Sequence, residues 1–305
     1  MRPVRISDDQ IAHYLEHGYV LVPNFLAPAE LASARAAFGE HFPSYEDLRA
    51  NPEEHEELLE EPEHLQAEFP FAQPALNDVS THPALIAFVE RILGVRDVLL
   101  SQSAIWAKYA GTAGSYDQGM HLDYRGNTLV VPRDEGPFRQ VNMILYYTDV
   151  TPDLGPTCVV STKETADLPV WPPFKPRKQH PRLYEREVKL LASAGSLFVF
   201  AMGTYHRASE ITAAHGCRFS HHLVWRSAAY PFAGYHQWSQ FGENPDLEKF
   251  IETTTPRQRE VLGFPPPGHP YWDERTLAGV QLRYPTMDLG PYCKARVSAA
   301  ATRGK

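Results

Sequence analysis

No stretch of this 305-residue sequence approaches the ~20 consecutive apolar residues that a membrane helix needs. Cysteine is scarce. Cys158, Cys217 and Cys293 form neither a metal-binding spacing nor an even set, which suits a reducing compartment and not a disulfide scaffold. An excess of positive charge is missing too: 29 Lys and Arg face 37 Asp and Glu, a net charge of −8. That balance argues against a general binder of nucleic acid or anionic membranes. The opening Met1-Arg-Pro-Val-Arg-Ile-Ser-Asp8 lacks the apolar core of a secretory signal. The expectation is a cytoplasmic protein whose partner is a small molecule, with no nucleic acid and no membrane. What is present is a 43% hydrophobic content, ordinary for a globular chain long enough to bury a large core.

Pattern changes along the chain suggest its organisation. Ser7-Asp-Asp-Gln10 has capping-box form, Ile11, Tyr14 and Leu15 follow at helical spacing, and Gly18 ends the helix. Tyr19 to Val22 reads as a short strand, and Pro28 opens a second helix with Leu31, Ala34 and Phe38 on one face. The acidic, Pro-punctuated stretch from Tyr45 to Pro74 is expected to be surface helix and loop. Pro83 to Leu93 predicts a third helix, closed by Gly94. From Val98 onward the pattern turns to strands: 98–108, 140–149, a turn and strand over 155–161, 195–201 and 218–225. An aromatic and basic insert, Lys163 to Glu187, interrupts them; inserts of this length are usually functional or mobile, so it is a candidate lid favouring an anionic substrate. After Tyr230 the chain is Pro-rich, and 296–305 reads as a frayed tail. Short strands between helical flanks suggest a mainly β fold, a double-stranded jelly roll. A single domain over 1–305 is expected, with a helical flank 1–96, a core 97–230 and an extension 231–305.

The chemistry centres on Gly119-Met-His-Leu-Asp-Tyr124. In an extended segment, residues i and i+2 face the same way, so His121 and Asp123 can offer a nitrogen and an oxygen to one ion. With 14 His in the chain, a His-x-Asp pair alone is near chance. His55-Glu-Glu57 shows this, lying in an acidic run that reads as a solvated face. The context of His121 among strands gives its pair meaning. His206 is the best third ligand, since it follows a strand and the Gly203 turn, at a sheet rim; His222 is the runner-up. Two His and one carboxylate form the facial triad of non-haem Fe(II) oxygenases. Twelve residues after His206, Arg218, Ser220, His222 and Val224 alternate onto one strand face, where Arg218 and Ser220 can grip a carboxylate together.

Taken jointly, these features resemble the phytanoyl-CoA dioxygenase family of Fe(II)/2-oxoglutarate oxygenases. The resemblance covers most of 7–226. It rests on Gly18-Tyr-Val-Leu-Val-Pro-Asn-Phe-Leu26, His82 to Gly94, His121-Leu-Asp123, Gly155-Pro-Thr-Cys-Val-Val-Ser161 and the His206…Arg218 pair. It implies a jelly-roll core with Fe(II), 2-oxoglutarate and O2 as cofactor and cosubstrates. Arg218, with Ser220, would meet the far carboxylate of 2-oxoglutarate. Gln102-Ser-Ala-Ile-Trp-Ala-Lys108 is similar to the ectoine hydroxylases, which implies that Gln102 and the residue at Trp106 contact 2-oxoglutarate; the latter is Asn in those enzymes. The family's Pro-Gly-Ser-His turn is replaced by Val160-Ser-Thr-Lys163. Asp123 stands where related halogenases carry a small residue, which implies hydroxylation, or desaturation, ring closure or epimerisation. Candidate substrate contacts are Tyr124, Arg125, Asn127, Asn142, Tyr146, Tyr205 and His222. Two alternatives compete: a non-catalytic jelly roll with a relic metal site, and a cupin-type metal enzyme independent of 2-oxoglutarate. The complete set His121, Asp123, His206, Arg218 and Gln102 argues against both.

Overall fold

The computed structural model describes residues 5–60, 65–123, 135–230 and 237–294. Helix α1 (Asp8–His17) begins at Ser7, whose side chain accepts from Gln10 N while Gln10 reaches back to Ser7 N, and ends at Gly18 with φ 77°. Helices α2 (Pro28–Gly39), α3 (Tyr45–Ala50), α4 (Glu56–Glu60), α5 (Pro74–Ser80) and α6 (Pro83–Leu93) complete the flank. Proline opens α2, α5 and α6, where its fixed φ suits the first turn and its missing N–H is not needed.

Two strands of this flank enter the main sheet. β1 (Tyr19–Val22) and β2 (Gln66–Glu68) edge a six-stranded antiparallel sheet with β3 (Val98–Tyr109), β4 (Val141–Tyr146), β7 (Leu197–Ala201) and β9 (Cys217–Ser227), in the order β1-β7-β4-β9-β3-β2. The second sheet is β6-β5-β8, formed by β6 (Val188–Leu190), β5 (Thr157–Val159) and β8 (His206–Ala208). The stretch 45–74 is therefore less superficial than its acidity suggests, because Tyr45, Leu48, Leu65, Phe69 and Phe71 are buried core anchors. The Pro-rich extension is also helical, in α7 (Pro245–Thr253), α8 (Pro256–Glu260) and α9 (Glu274–Arg283). Pro245 and Pro256 again start helices. The 296–305 tail lies outside the described residues.

Period-two alternation divides the main sheet. Met143, Leu145, Val199, Leu223 and Trp225 face the helices and join the largest core. Ile144, Tyr146, Phe198 and Phe200 face the small sheet and pack with Val159 and Leu190. Adjacent histidines are sorted by the same rule. His221, fully buried on the helical side, is held between Ser103 Oγ at 2.8 Å and Tyr147 OH at 2.9 Å. Burial, with a smaller push from His222, lowers it to about 3, so it is a neutral core histidine. His222 faces the other way, toward the space between the sheets.

Candidate metal centre and its cavity

His121 and His206 are 85 residues apart in sequence but directly opposite each other in space. His121 N–H donates to His206 O at 2.9 Å and His206 N–H to His121 O at 3.1 Å. This is a hydrogen-bonded antiparallel pair, which places both side chains on one face; the ring centroids are 4.6 Å apart. Asp123 lies between the rings, with Oδ1 3.4 Å from His121 Nε2 and Oδ2 3.3 Å from His206 Nε2. One ligand atom from each residue lies within 4.8 Å of the others.

The outer nitrogens of both rings are fixed. His121 Nδ1 lies 2.8 Å from Gly119 O and His206 Nδ1 3.0 Å from Thr204 O. A carbonyl only accepts, so each Nδ1 carries the proton and each Nε2 keeps its lone pair directed at the common centre, the arrangement that metal-binding histidines need. Burial pushes the Asp123 carboxyl up, but protons on the two Nε2 atoms, His206 first, more than reverse this and hold it below the usual carboxylate range; a divalent ion would take the place of those protons. The residues thus fit a divalent ion with two neutral imidazoles and one carboxylate. His55, the decoy, instead bonds Asp47 at 2.9 Å.

A cavity of about 350 Å³ opens from this centre between the sheets, lined among others by Gln102, Trp106, Lys108, Asn142, Ile144, Thr157, Phe200, Arg218, Ser220 and His222. Its far end is cationic. Lys108 pairs with Arg218 in the β3–β9 register. Arg218 donates through Nη1 to Gly155 O, while its Nε, Lys108 Nζ and Trp106 Nε1 are buried with no hydrogen-bond partner among the described residues. Burial and then the Arg218 charge lower Lys108 to about 7. Ser220 Oγ bonds His222 Nε2 at 3.1 Å, and burial, with Arg218 next, lowers His222 to about 3. Two cations and an indole N–H form a donor-rich end that suits the carboxylate of a bound anion.

The structure therefore brings together His121, Asp123, His206, Arg218, Ser220, Gln102, Trp106, Asn142 and His222. Tyr146 is a correction. It shares the face of Asn142 but is fully buried behind the wall, with its hydroxyl on Thr157 Oγ1 at 2.8 Å, because the side chain is long enough to reach β5. Tyr124, Arg125 and Asn127 lie outside the described residues. Tyr205 bonds Pro169 O and packs in a small core with Met120 and Leu122. The insert is docked to the metal segment: Lys175 N donates to Met120 O at 2.9 Å, Leu122 N to Pro173 O at 3.3 Å, and Phe174 stacks on His121 at 5.6 Å. Lys175 Nζ bonds Pro169 O and Arg186 bonds Glu164 O within the insert, while Arg177 ties it to Asp117 just before the metal segment. Sequence reasoning placed Lys108 on the right face without a role; its parity with Gln102 and Trp106 was the available signal. Phe174, Thr157 and Phe200 carried none.

Comparisons with known proteins agree with this geometry. A search of curated proteins finds no match. Among solved structures, the epimerase SnoN in complex with Fe3+, alpha ketoglutarate and nogalamycin RO is 18% identical with TM-score 0.52, covering 72% of this chain and 83% of that one. The carbocyclase SnoK is 18% identical with TM-score 0.54, covering 78% and 90%. HygX from Streptomyces hygroscopicus, with nickel, 2-oxoglutarate and hygromycin B bound, is 12% identical with TM-score 0.54, covering 74% and 90%. At these identities the likeness establishes the fold, a jelly-roll core with helices. The sequence profile of the phytanoyl-CoA dioxygenase (PhyH) family matches residues 14–219, a span that includes the metal triad and the cationic end of the cavity, and the chain belongs to that family of Fe(II)- and 2-oxoglutarate-dependent oxygenases.

Proposed function

We propose that this oxygenase oxidises a C–H bond of a small molecule held in the cavity beside Asp123, by hydroxylation in the first instance. His121, Asp123 and His206 hold the iron; Arg218, Lys108 and Ser220 hold the far carboxylate of 2-oxoglutarate. The observation that carries this reading is the pairing of three convergent ligand atoms with a cationic cavity end whose lining, among the described residues, includes no carboxylate beyond Asp123 at the metal. Iron with 2-oxoglutarate and O2 supplies an oxidant able to break a C–H bond, with release of succinate and CO2.

The chain's own residues do the rest. Gly119 O and Thr204 O keep the two Nε2 lone pairs aimed inward. Strand register sets the span: Arg218 and Val224 are six residues apart on β9, roughly 20 Å at ~3.3 Å per residue. That separates the cationic end, where Lys108 and Arg218 are register partners, from the metal end along one sheet face. Trp106, whose ring lies 5.7 Å from His222, walls the path and offers its N–H. Gln102 stands in the metal-end row, since it and Asn142 both pair with Val224, which supports a contact near the chelated end. Tyr116 is exposed at the cavity's rim, and the exposed Phe174 stacks on His121; both supply ring surfaces for a substrate. The neighbours SnoN and HygX were solved with small molecules bound, in keeping with a small-molecule substrate here. Asp123 fills the position that halide would need, which favours oxygen insertion or hydrogen loss over halogenation.

The test is O2-dependent conversion of 2-oxoglutarate to succinate by iron-loaded enzyme. His206→Ala is expected to abolish it, while His222→Ala retains iron binding. Loss of iron in His222→Ala with full activity in His206→Ala would reverse the ligand assignment.

A further inference from the structure

Hydrogen-bonding capacity along the cavity wall is unevenly distributed. Of the lining atoms that are buried without a partner among the described residues, Trp106 Nε1, Lys108 Nζ and Arg218 Nε are donors, and Asn142 Oδ1 is an acceptor. The three donors suit 2-oxoglutarate. The acceptor does not, because the dianion of a keto diacid has acceptors only and nothing to donate. Asn142 is 2% exposed, so its carbonyl oxygen cannot turn to bulk water, and an unmet buried acceptor is costly.

The amide orientation follows from its neighbour. Asn142 Nδ2 lies 3.4 Å from Asp123 Oδ2 and 4.0 Å from Met202 Sδ. A carboxylate only accepts, so the NH2 faces Asp123, and the flipped amide would set two oxygens against each other. Oδ1 therefore points away from Asp123. Across the sheet Asn142 pairs with Phe200 on β7 and Val224 on β9, neither of which offers a side-chain donor. The side chain thus reaches from a metal-ligand carboxylate into a stretch of cavity wall whose flanking sheet partners, Phe200 and Val224, are apolar.

Building on the metal-centre reading above, we propose that Asn142 is a specificity-determining residue: its Oδ1 accepts a hydrogen bond from a hydroxyl or ammonium group carried by the substrate next to the carbon to be oxidised. The substrates of this enzyme then belong to the alcohols and amines, and a purely apolar molecule of the same shape is a poor substrate. A water on the iron is the competing donor.

The test uses isosteric probes, benzyl alcohol and benzylamine against ethylbenzene, with the Fe(II)·2-oxoglutarate enzyme. Binding is read anaerobically from the shift of the visible charge-transfer band, and turnover from succinate. The wild type is expected to favour the two donor-bearing probes by about 3- to 10-fold, the worth of a net hydrogen bond. Asn142→Leu, matched in shape, is expected to erase that preference, read against its own band before any probe is added because the change also removes the Nδ2 contact to Asp123. Asn142→Ser, which keeps an acceptor, is expected to retain the preference in part and decides the matter if the leucine variant does not fold. Equal response to ethylbenzene in the wild type, no response to any probe, or a preference that survives in Asn142→Leu would overturn the inference. A preference in Asn142→Ser no greater than that in Asn142→Leu would also overturn it. Absence of the band in the wild type would instead defeat the metal-centre reading itself.

Discussion

Asp123 lies between two imidazoles because His121 and His206 face one another across a strand pair. The pair His121-x-Asp123 was legible, since i and i+2 converge in any extended segment. His206 was reached through context, the turn before it and Arg218 after it. Lys108 was missed as a contributor because a lone lysine on a strand face usually reaches solvent. Here its position opposite Arg218 leaves it desolvated. Replacing His121, Asp123 or His206 with Ala is expected to remove most iron affinity and all coupled turnover, checked by metal analysis after dialysis and by succinate yield. With excess chloride the wild type should give an oxygenated or desaturated product and no halogenated one by mass spectrometry. Arg218→Lys should raise the 2-oxoglutarate requirement roughly 10- to 150-fold, the equivalent of ~1.5–3 kcal/mol for a charged hydrogen bond. Lys108 adds a pH dependence. Its free-enzyme value is lowered to about 7, and an incoming carboxylate favours the charged form. Affinity for 2-oxoglutarate is therefore full below pH 7 and should fall as pH rises above it, by up to about tenfold per unit. Lys108→Met should bind more weakly and lose that slope.

Helices and strands were legible where a cap or strict alternation marked them. α1 has a complete capping box and α6 runs between Pro83 and Gly94, whereas α5 and β2 are too short to show a period. The helices of the extension were hidden by prolines that open them. Two glycines couple elements to the site. Gly18 has φ 77°, and a Cβ there would lie 2.4 Å from Thr162 Cγ2 and 2.7 Å from Thr204 Oγ1; Thr204 is also the residue whose carbonyl orients His206. Gly155 has φ 66°, a Cβ would meet Ser209 O at 2.8 Å, and its carbonyl receives Arg218. Each Gly→Ala change combines backbone strain with a clash, and each should cost about 1–3 kcal/mol in denaturant titration. Gly155→Ala should in addition weaken 2-oxoglutarate binding, and Gly18→Ala iron binding.

Across the whole molecule, the main sheet separates a helix-covered core from the cavity side. The extension is packed into that core. Trp238 Nε1 donates to Leu100 O at 2.8 Å, its ring lies 5.0 Å from Phe69, and the buried Arg259 bonds Ile251 O. We propose that the described residues of flank, core and extension unfold as one cooperative unit. Trp238→Ala is expected to cost ~3–5 kcal/mol and to lower the stability of sheet and metal site together, seen as one coincident transition by circular dichroism and by loss of bound iron.

The account rests on one claim, that a single site in this chain binds Fe(II) and 2-oxoglutarate at once. Anaerobic titration with both, followed by visible absorption, tests it most directly. The expected result is a weak charge-transfer band that needs both components. It should be lost in His121→Ala and His206→Ala, and shifted to higher 2-oxoglutarate in Lys108→Met and Arg218→Lys. No band in iron-loaded wild type, or an unchanged titration in the Lys108 and Arg218 variants, would contradict it.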